Sequence, residues 1–286
     1  MVLRAAHAPL RRFDRTARAA VAGLIAASLA ASDPARAACG TPDGTVRVAD
    51  IDARLDLVLA DGRTVRLGGV APPDPARAPD LARAARDFLV RRLAGREVEL
   101  DRLASGTDRW GRLVADISFS DFAPDDRSDS AAGALLAAGW ARVAPAFETR
   151  GCAAERLRVE DEARRAALGL WADPRAAVID SADAEALRRN NGRFVIVEGE
   201  VRRVGAGRSR LYLDLVPRGG PTVVVPRKLE PAFASAGRPL DALAGQTIRV
   251  RGALDARLGA RLEVSEPAMI EFLGRPDAPR VNRPRP

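Results

Sequence analysis

The side chains able to do chemistry in this chain are narrowed first by what it lacks. Its one histidine is His7. It falls within residues 1–37, which read as a removable leader, and a chain left without histidine builds no Ser-His-Asp triad, no His-paired cysteine nucleophile and no His-based zinc site. Hydrolytic chemistry would have to use carboxylates, arginines and a hard metal ion. Such groups concentrate in a few places. Arg66 opens the segment RLGGVAPPD, which ends on Asp74; Asp108, Arg109, Trp110 and Arg112 lie in DRWGRL; and Asp50, Asp52 and Asp56 crowd one stretch.

These residues need elements to hold them. Val46 to Leu59 reads as strand, Asp61-Gly62 as a hairpin turn, and Thr64 to Val70 as the returning strand. A proline-rich loop leads to a helix over Leu81–Leu93, with Leu81, Ala85, Phe88 and Leu93 on one face and Gly95 as its stop. Arg96–Leu103 and Leu113–Phe119 read as strands around a turn at Ser105–Asp108. A short Ala-rich helix ends at Gly139, and a longer amphipathic one runs from about Ala153 to Leu168. Ahead of all this, five arginines (Arg4, Arg11, Arg12, Arg15, Arg18), the apolar run Ala19–Ala31 and Ala35-Arg36-Ala37 form a secretory signal pattern. The expectation is an exported protein, periplasmic or secreted, with residues 1–37 removed. Cys39 and Cys152 are then its only cysteines, and an oxidising compartment predicts that they form a disulfide.

Three segments in order, Arg66–Asp74, Asp108–Leu113 and Leu135–Ala141 (LLAAGWA), resemble the staphylococcal nuclease (thermonuclease) family. The resemblance covers about Val46 to Trp171. It implies an α+β fold, a five-stranded OB barrel with three helices, over residues 38–178. It also implies calcium-assisted cleavage of DNA or RNA, with two arginines on the phosphate, a carboxylate assisting the attacking water and aspartates on the metal. In-line attack puts negative charge on the phosphoryl oxygens, which arginine forks and a cation stabilise. Carried over, Arg66 and Arg112 are the phosphate arginines, and Arg109 and Trp110 are substrate-binding residues, Trp110 standing where the family usually has tyrosine. Asp74 falls at the catalytic glutamate, shorter by one methylene. The metal side departs from the pattern: Ala71 and, by direct match, Arg54 replace ligands. A shift of two residues leaves Asp52 as the residual ligand, so a Ca2+ site would be weak or absent.

The second half, residues 179–273, has strands at Arg193–Val204, Ser209–Val216, Thr222–Val225, Thr247–Leu254 and Ala260–Val264, and reads as a second small OB-like β-barrel after a linker at Asp173–Ala182. Phe194, Phe233 and Phe272 read as core, and Tyr212 as an outward-facing aromatic. Arg202, Arg203, Arg208 and Arg210 make a basic rim. Residues 274–286 read as a disordered Pro/Arg-rich tail. The net charge of +8 belongs mostly to the leader and the tail, leaving a nearly neutral body. The functional expectation is an exported, thermonuclease-like protein that binds DNA, RNA or another phosphodiester polyanion, with phosphodiesterase activity limited by the incomplete metal set. The competing expectation is a catalytically inactive envelope interaction protein on the same scaffold.

Overall fold

The computed structural model describes residues 39–118, 130–217, 219–257 and 259–274. The expected leader and most of the expected tail lie outside these residues, as does Phe119. The described residues belong to one compact unit. No helix among the described residues is long and apolar enough to cross a membrane.

Five strands close the first barrel: β1 (Thr41–Ile51), β2 (Leu57–Leu59), β3 (Thr64–Leu67), β5 (Glu97–Thr107) and β6 (Leu113–Ser118), in the order β1-β2-β3-β6-β5. A short β4 (Val70–Ala71) leaves the barrel after β3. The pairing is antiparallel except between β3 and β6. In β1, Val46 and Val48 alternate inward. A bulge between Val48 and Asp50 then flips the register, so Ile51 is buried and Asp50 faces out to Arg86. The single strand expected over Val46–Leu59 is therefore two, separated by a turn at residues 52–56. The turn expected at Ser105–Asp108 also moves. β5 continues through Thr107, and the chain reverses at Asp108–Arg112, where Gly111 adopts φ 78°.

Helix α1 (Pro79–Leu93) starts at Pro79, where a missing N–H costs nothing, and buries Ala85, Phe88, Leu89 and Leu93. Helix α2 (Ala131–Ala137) is capped by the Ser130 hydroxyl, which accepts from the Gly133 amide. Asp116 ties it to the barrel by accepting from the Ala132 amide, and pairs with Arg156 at 2.6 Å. Both charges are buried, so neither could be left alone. Arg156 lies on α3 (Ala153–Arg165) and also donates to the Gly68 carbonyl. The end of α2 meets the end of α3 at Gly139 (φ 73°), where a Cβ would stand 2.2 Å from the Leu168 carbonyl oxygen. Close backbone approach is what the glycine in LLAAGWA provides. The predicted Cys39–Cys152 disulfide is present, with Cα atoms 5.3 Å apart.

The second half has its own core, with Val197, Leu213, Val223, Val225, Ile248, Val250 and Leu262 fully buried. Leu211 and Leu213 face in and Tyr212 faces outward, half-buried. Phe233 is buried and meets Phe272 edge-on at 6.2 Å. Along the chain come β7 (Arg142–Val143), β8 (Ile179–Asp180), α4 (Ala184–Arg189), β9 (Phe194–Glu200), β10 (Arg203–Ala206), β11 (Arg210–Asp214), β12 (Thr222–Pro226), α5 (Glu230–Ser235), β13 (Thr247–Asp255), β14 (Arg261–Glu263) and β15 (Ile270–Gly274). Strand β7 pairs with β4. The rest make an eight-stranded sheet ordered β10-β11-β12-β14-β13-β9-β8, with β15 on β13. No pairing among the described residues joins its end strands, so closure of the expected second barrel is not seen among them. The expected linker is partly structured, since β8 adds to β9 in parallel.

The halves are joined by buried charge. Arg251 on β13, 1% exposed, pairs with Glu160 of α3 at 2.6 Å and with Glu271 of β15. Glu160 also accepts from the Val143 amide, and Arg251 donates to the Val143 carbonyl. Closer to the surface, Arg150 pairs with Glu266 at 2.8 Å. The basic rim is largely matched by acids: Arg202 with Glu200, Arg203 with Asp214, Arg210 with Glu263.

Candidate functional site

Strands β3 and β6 run parallel, with Val65 opposite Leu113 and Arg66 opposite Val114. This register brings Arg66 beside Arg112, the residue just before β6. Asp108 organises the turn between them. One of its carboxylate oxygens accepts from the Trp110 and Arg112 amides, a short Asx-type arrangement. The other accepts Arg112 Nε at 2.9 Å and Nη2 at 2.7 Å. Arg112 therefore presents its fork to Asp108, and its remaining nitrogen, Nη1, donates to Asp56 at 2.7 Å.

Arg66 is held more loosely. Its nearest acids are Asp108 at 3.6 Å and Glu148 at 3.7 Å. Among the described residues no hydrogen bond closes on its guanidinium. Its side chain is 33% exposed, against 17% for Arg112. Two exposed aromatics belong to the same segments, Trp110 against Arg112 and Phe147 beside Glu148 in sequence. Trp110 is 62% exposed, with Arg109 Cζ 3.9 Å from its ring centre and Arg112 Cζ at 4.9 Å. Phe147 is 73% exposed and precedes Glu148 in sequence, with Arg150 over its ring at 4.7 Å. Sequence reasoning passed over Phe147 and Glu148. The signal was an aromatic-acid pair in a run with no apolar periodicity.

The carboxylates divide by environment. Burial, only partly opposed by Arg112, pushes the Asp56 carboxyl above the usual aspartate range. Burial also acts on Asp108, but hydrogen bonds from Arg112 and Trp110 outweigh it and hold that carboxyl below the usual range. Asp52, the expected metal ligand, spends one oxygen on the Arg54 and Asp56 amides, at 2.7 and 2.9 Å. The acid brought to Arg112 is thus Asp56, four residues on. Arg54 is exposed in the turn at residues 52–56, and Ala71 lies on β4 opposite Arg142. Asp74 accepts from the Ala76 amide and approaches Arg77 at 3.7 Å. It lines a crevice between the two halves. No contact among the described residues joins it to Arg66 or Arg112.

This donor set does not fit the calcium that the resemblance implies. Calcium takes six to eight oxygens. Here Asp56 is claimed by Arg112, Asp52 by two backbone amides, and the third position is an alanine. Among the described residues no three acidic, histidine or cysteine side chains converge.

A closed five-stranded barrel with helices packed on it, and an arginine pair on its parallel strand edge, define the nuclease-type OB class. Sequence comparison makes the assignment specific. Residues 64–173 match the family described as staphylococcal nuclease homologue. The chain is also 33% identical to Protein ParB of Escherichia coli over 135 residues, covering 46% of this chain and 72% of that protein. The chain belongs to the staphylococcal nuclease family.

Proposed function

We propose that this protein binds single-stranded nucleic acid through Arg66 and Arg112, and that binding rather than hydrolysis is its principal activity. The observation that carries this reading is Arg66, a partly exposed guanidinium that makes no hydrogen bond among the described residues, beside Arg112 and its exposed partner Trp110. A phosphate diester can take its donors without breaking an existing hydrogen bond. Arg112 is positioned by Asp108 to add a second charge on the same phosphate. Trp110 and Phe147 are solvent-facing π surfaces on which unpaired bases stack, each worth about 1–3 kcal/mol per base. The family assignment supports a nuclease-like or nucleic-acid-binding role, and the misfit of the donors to calcium favours binding. The disulfide fits an oxidising compartment, and we place the protein in the periplasm or outside the cell.

The test is anisotropy of end-labelled single-stranded DNA and RNA with the purified protein, in calcium and in chelator. Binding is expected in both, weakening with salt as counterions are released. Arg66→Ala and Arg112→Ala should each weaken it at least ~10-fold, the equivalent of about 1.4 kcal/mol. Calcium-dependent strand cleavage abolished by Arg112→Ala would replace binding with hydrolysis as the main activity. No binding at low salt would sink the reading.

A further inference from the structure

The crevice between the halves, about 180 Å³ in volume, holds two arginines with no acid partner. Arg142 donates Nη1 to the Phe194 carbonyl at 3.1 Å and Nη2 to the Ala176 carbonyl at 2.7 Å. Its Nε is shut off from solvent and has no acceptor. The ring centre of Trp171 lies 5.7 Å from Arg142 Cζ, and the Trp171 indole N–H is likewise shut off and unaccepted. Arg193, on the same wall, has one guanidinium hydrogen bond among the described residues, to the Asn190 side-chain oxygen at 3.0 Å. Among the described residues neither arginine makes an ion pair. The neighbouring charges are already matched: Arg175 with Asp173 and Asp80, Arg251 with Glu160, Asp74 with Arg77. Two positive charges therefore face one small space with donors to spare. Burial first, then repulsion from Arg193 and Arg251 against the pull of Glu160, brings Arg142 down to about 10, so it stays charged at neutral pH. A like-charged pair, one member deep in the wall and the other half-buried at its rim, favours an anion between them.

Charge and shape narrow the ligand. Two uncompensated guanidiniums match a dianion, and planar forks match phosphoryl oxygens better than a point charge does. Leu81, Leu170, Ile179 and Phe194 give the wall an apolar part, beside Asn190, Arg175 and Asp74. The volume is close to that of a ~150 Å³ cavity able to hold benzene. We propose that this crevice binds a small organic phosphomonoester dianion, with its phosphoryl oxygens on Arg142 and Arg193 and its organic part against Leu81 and Phe194. The site is separate from the Arg66–Arg112 pair and does not depend on the nucleic-acid reading.

Calorimetric titration of the full chain with phenyl phosphate, and with benzoate as a monoanion of similar shape, tests it. Phenyl phosphate is expected to bind one to one, at least ~10-fold tighter than benzoate, since a second charge pair is worth about 1.4 kcal/mol or more. Arg193→Leu should weaken it at least tenfold without moving the ligand-free melting temperature. Arg142→Lys, which keeps the charge and loses the fork, should weaken it as well. Arg257→Ala, at an exposed ion pair that does not line the crevice, should leave it unchanged. Equal affinity for benzoate, no binding of phenyl phosphate, full affinity in Arg193→Leu, or loss in Arg257→Ala would each overturn the proposal.

Discussion

Arg112 is held from two sides, by Asp108 through a fork and by Asp56 through one hydrogen bond. The two acids respond oppositely to pH. Asp56 has a raised pKa, so it takes up its proton before an ordinary aspartate does as pH falls. Asp108 has a lowered one and stays charged through that interval. Acidification therefore frees one nitrogen of Arg112 while its position is kept. Oligonucleotide affinity should rise as pH falls through the Asp56 value, and Asp56→Asn should tighten neutral-pH binding severalfold and flatten that rise. Anisotropy across pH 4–8, a window set by ordinary and raised carboxylate values, checks it; an unchanged profile in Asp56→Asn refutes the competition. The sign for stability is the reverse of the usual carboxylate. A group protonated more readily when folded contributes stability at low pH, and loses it as pH rises from its ordinary to its raised value. Arg66, Arg112, Arg109 and Trp110 were legible because motif spacing carries over directly. Asp56 was not, because the bulge in β1 and the turn after it change which face each residue takes, and neither leaves a mark in the side-chain pattern.

At the scale of elements, the same limit recurs. Helix α1 and the Asp61-Gly62 hairpin were readable, since a proline start, an apolar stripe and a turn dipeptide are local signals. The β8 addition within the expected linker, and strand β15, depend on partners distant in sequence. The glycine of LLAAGWA has an element-level reason. Gly139 lets α2 end against the carbonyl of Leu168, where the backbone cannot retreat. Gly139→Ala should destabilise the fold by more than the roughly 1–3 kcal/mol of its left-handed conformation alone, read from the urea midpoint. Gly95→Ala is the control. Gly95 also has positive φ, but open space stands where its Cβ would go, so its loss should stay within that conformational cost.

Across the whole molecule, charge joins the two halves. Removing Glu160 leaves Arg251, 1% exposed, with Glu271 as its one acid partner among the described residues. Glu160→Leu should therefore cost about 3–5 kcal/mol, and Glu160→Leu with Arg251→Met should recover most of it, because the desolvation penalty leaves with both charges. A denaturation series on the two single variants and the double variant checks this; equal losses in Glu160→Leu and the double would refute it. The disulfide acts on the same scale, and its 113-residue span places its contribution at about 4–5 kcal/mol in the chain-entropy view.

That bond has a topological consequence. Every strand of the first barrel, Arg66, Arg112, Trp110, Phe147 and Glu148 lie between Cys39 and Cys152, so they belong to one covalent ring, with α3 and the second sheet attached as a tail. A protease that cuts the ring once yields two pieces still linked. The cut chain should keep its apparent mass on a non-reducing gel, and fall into fragments only when thiol is added.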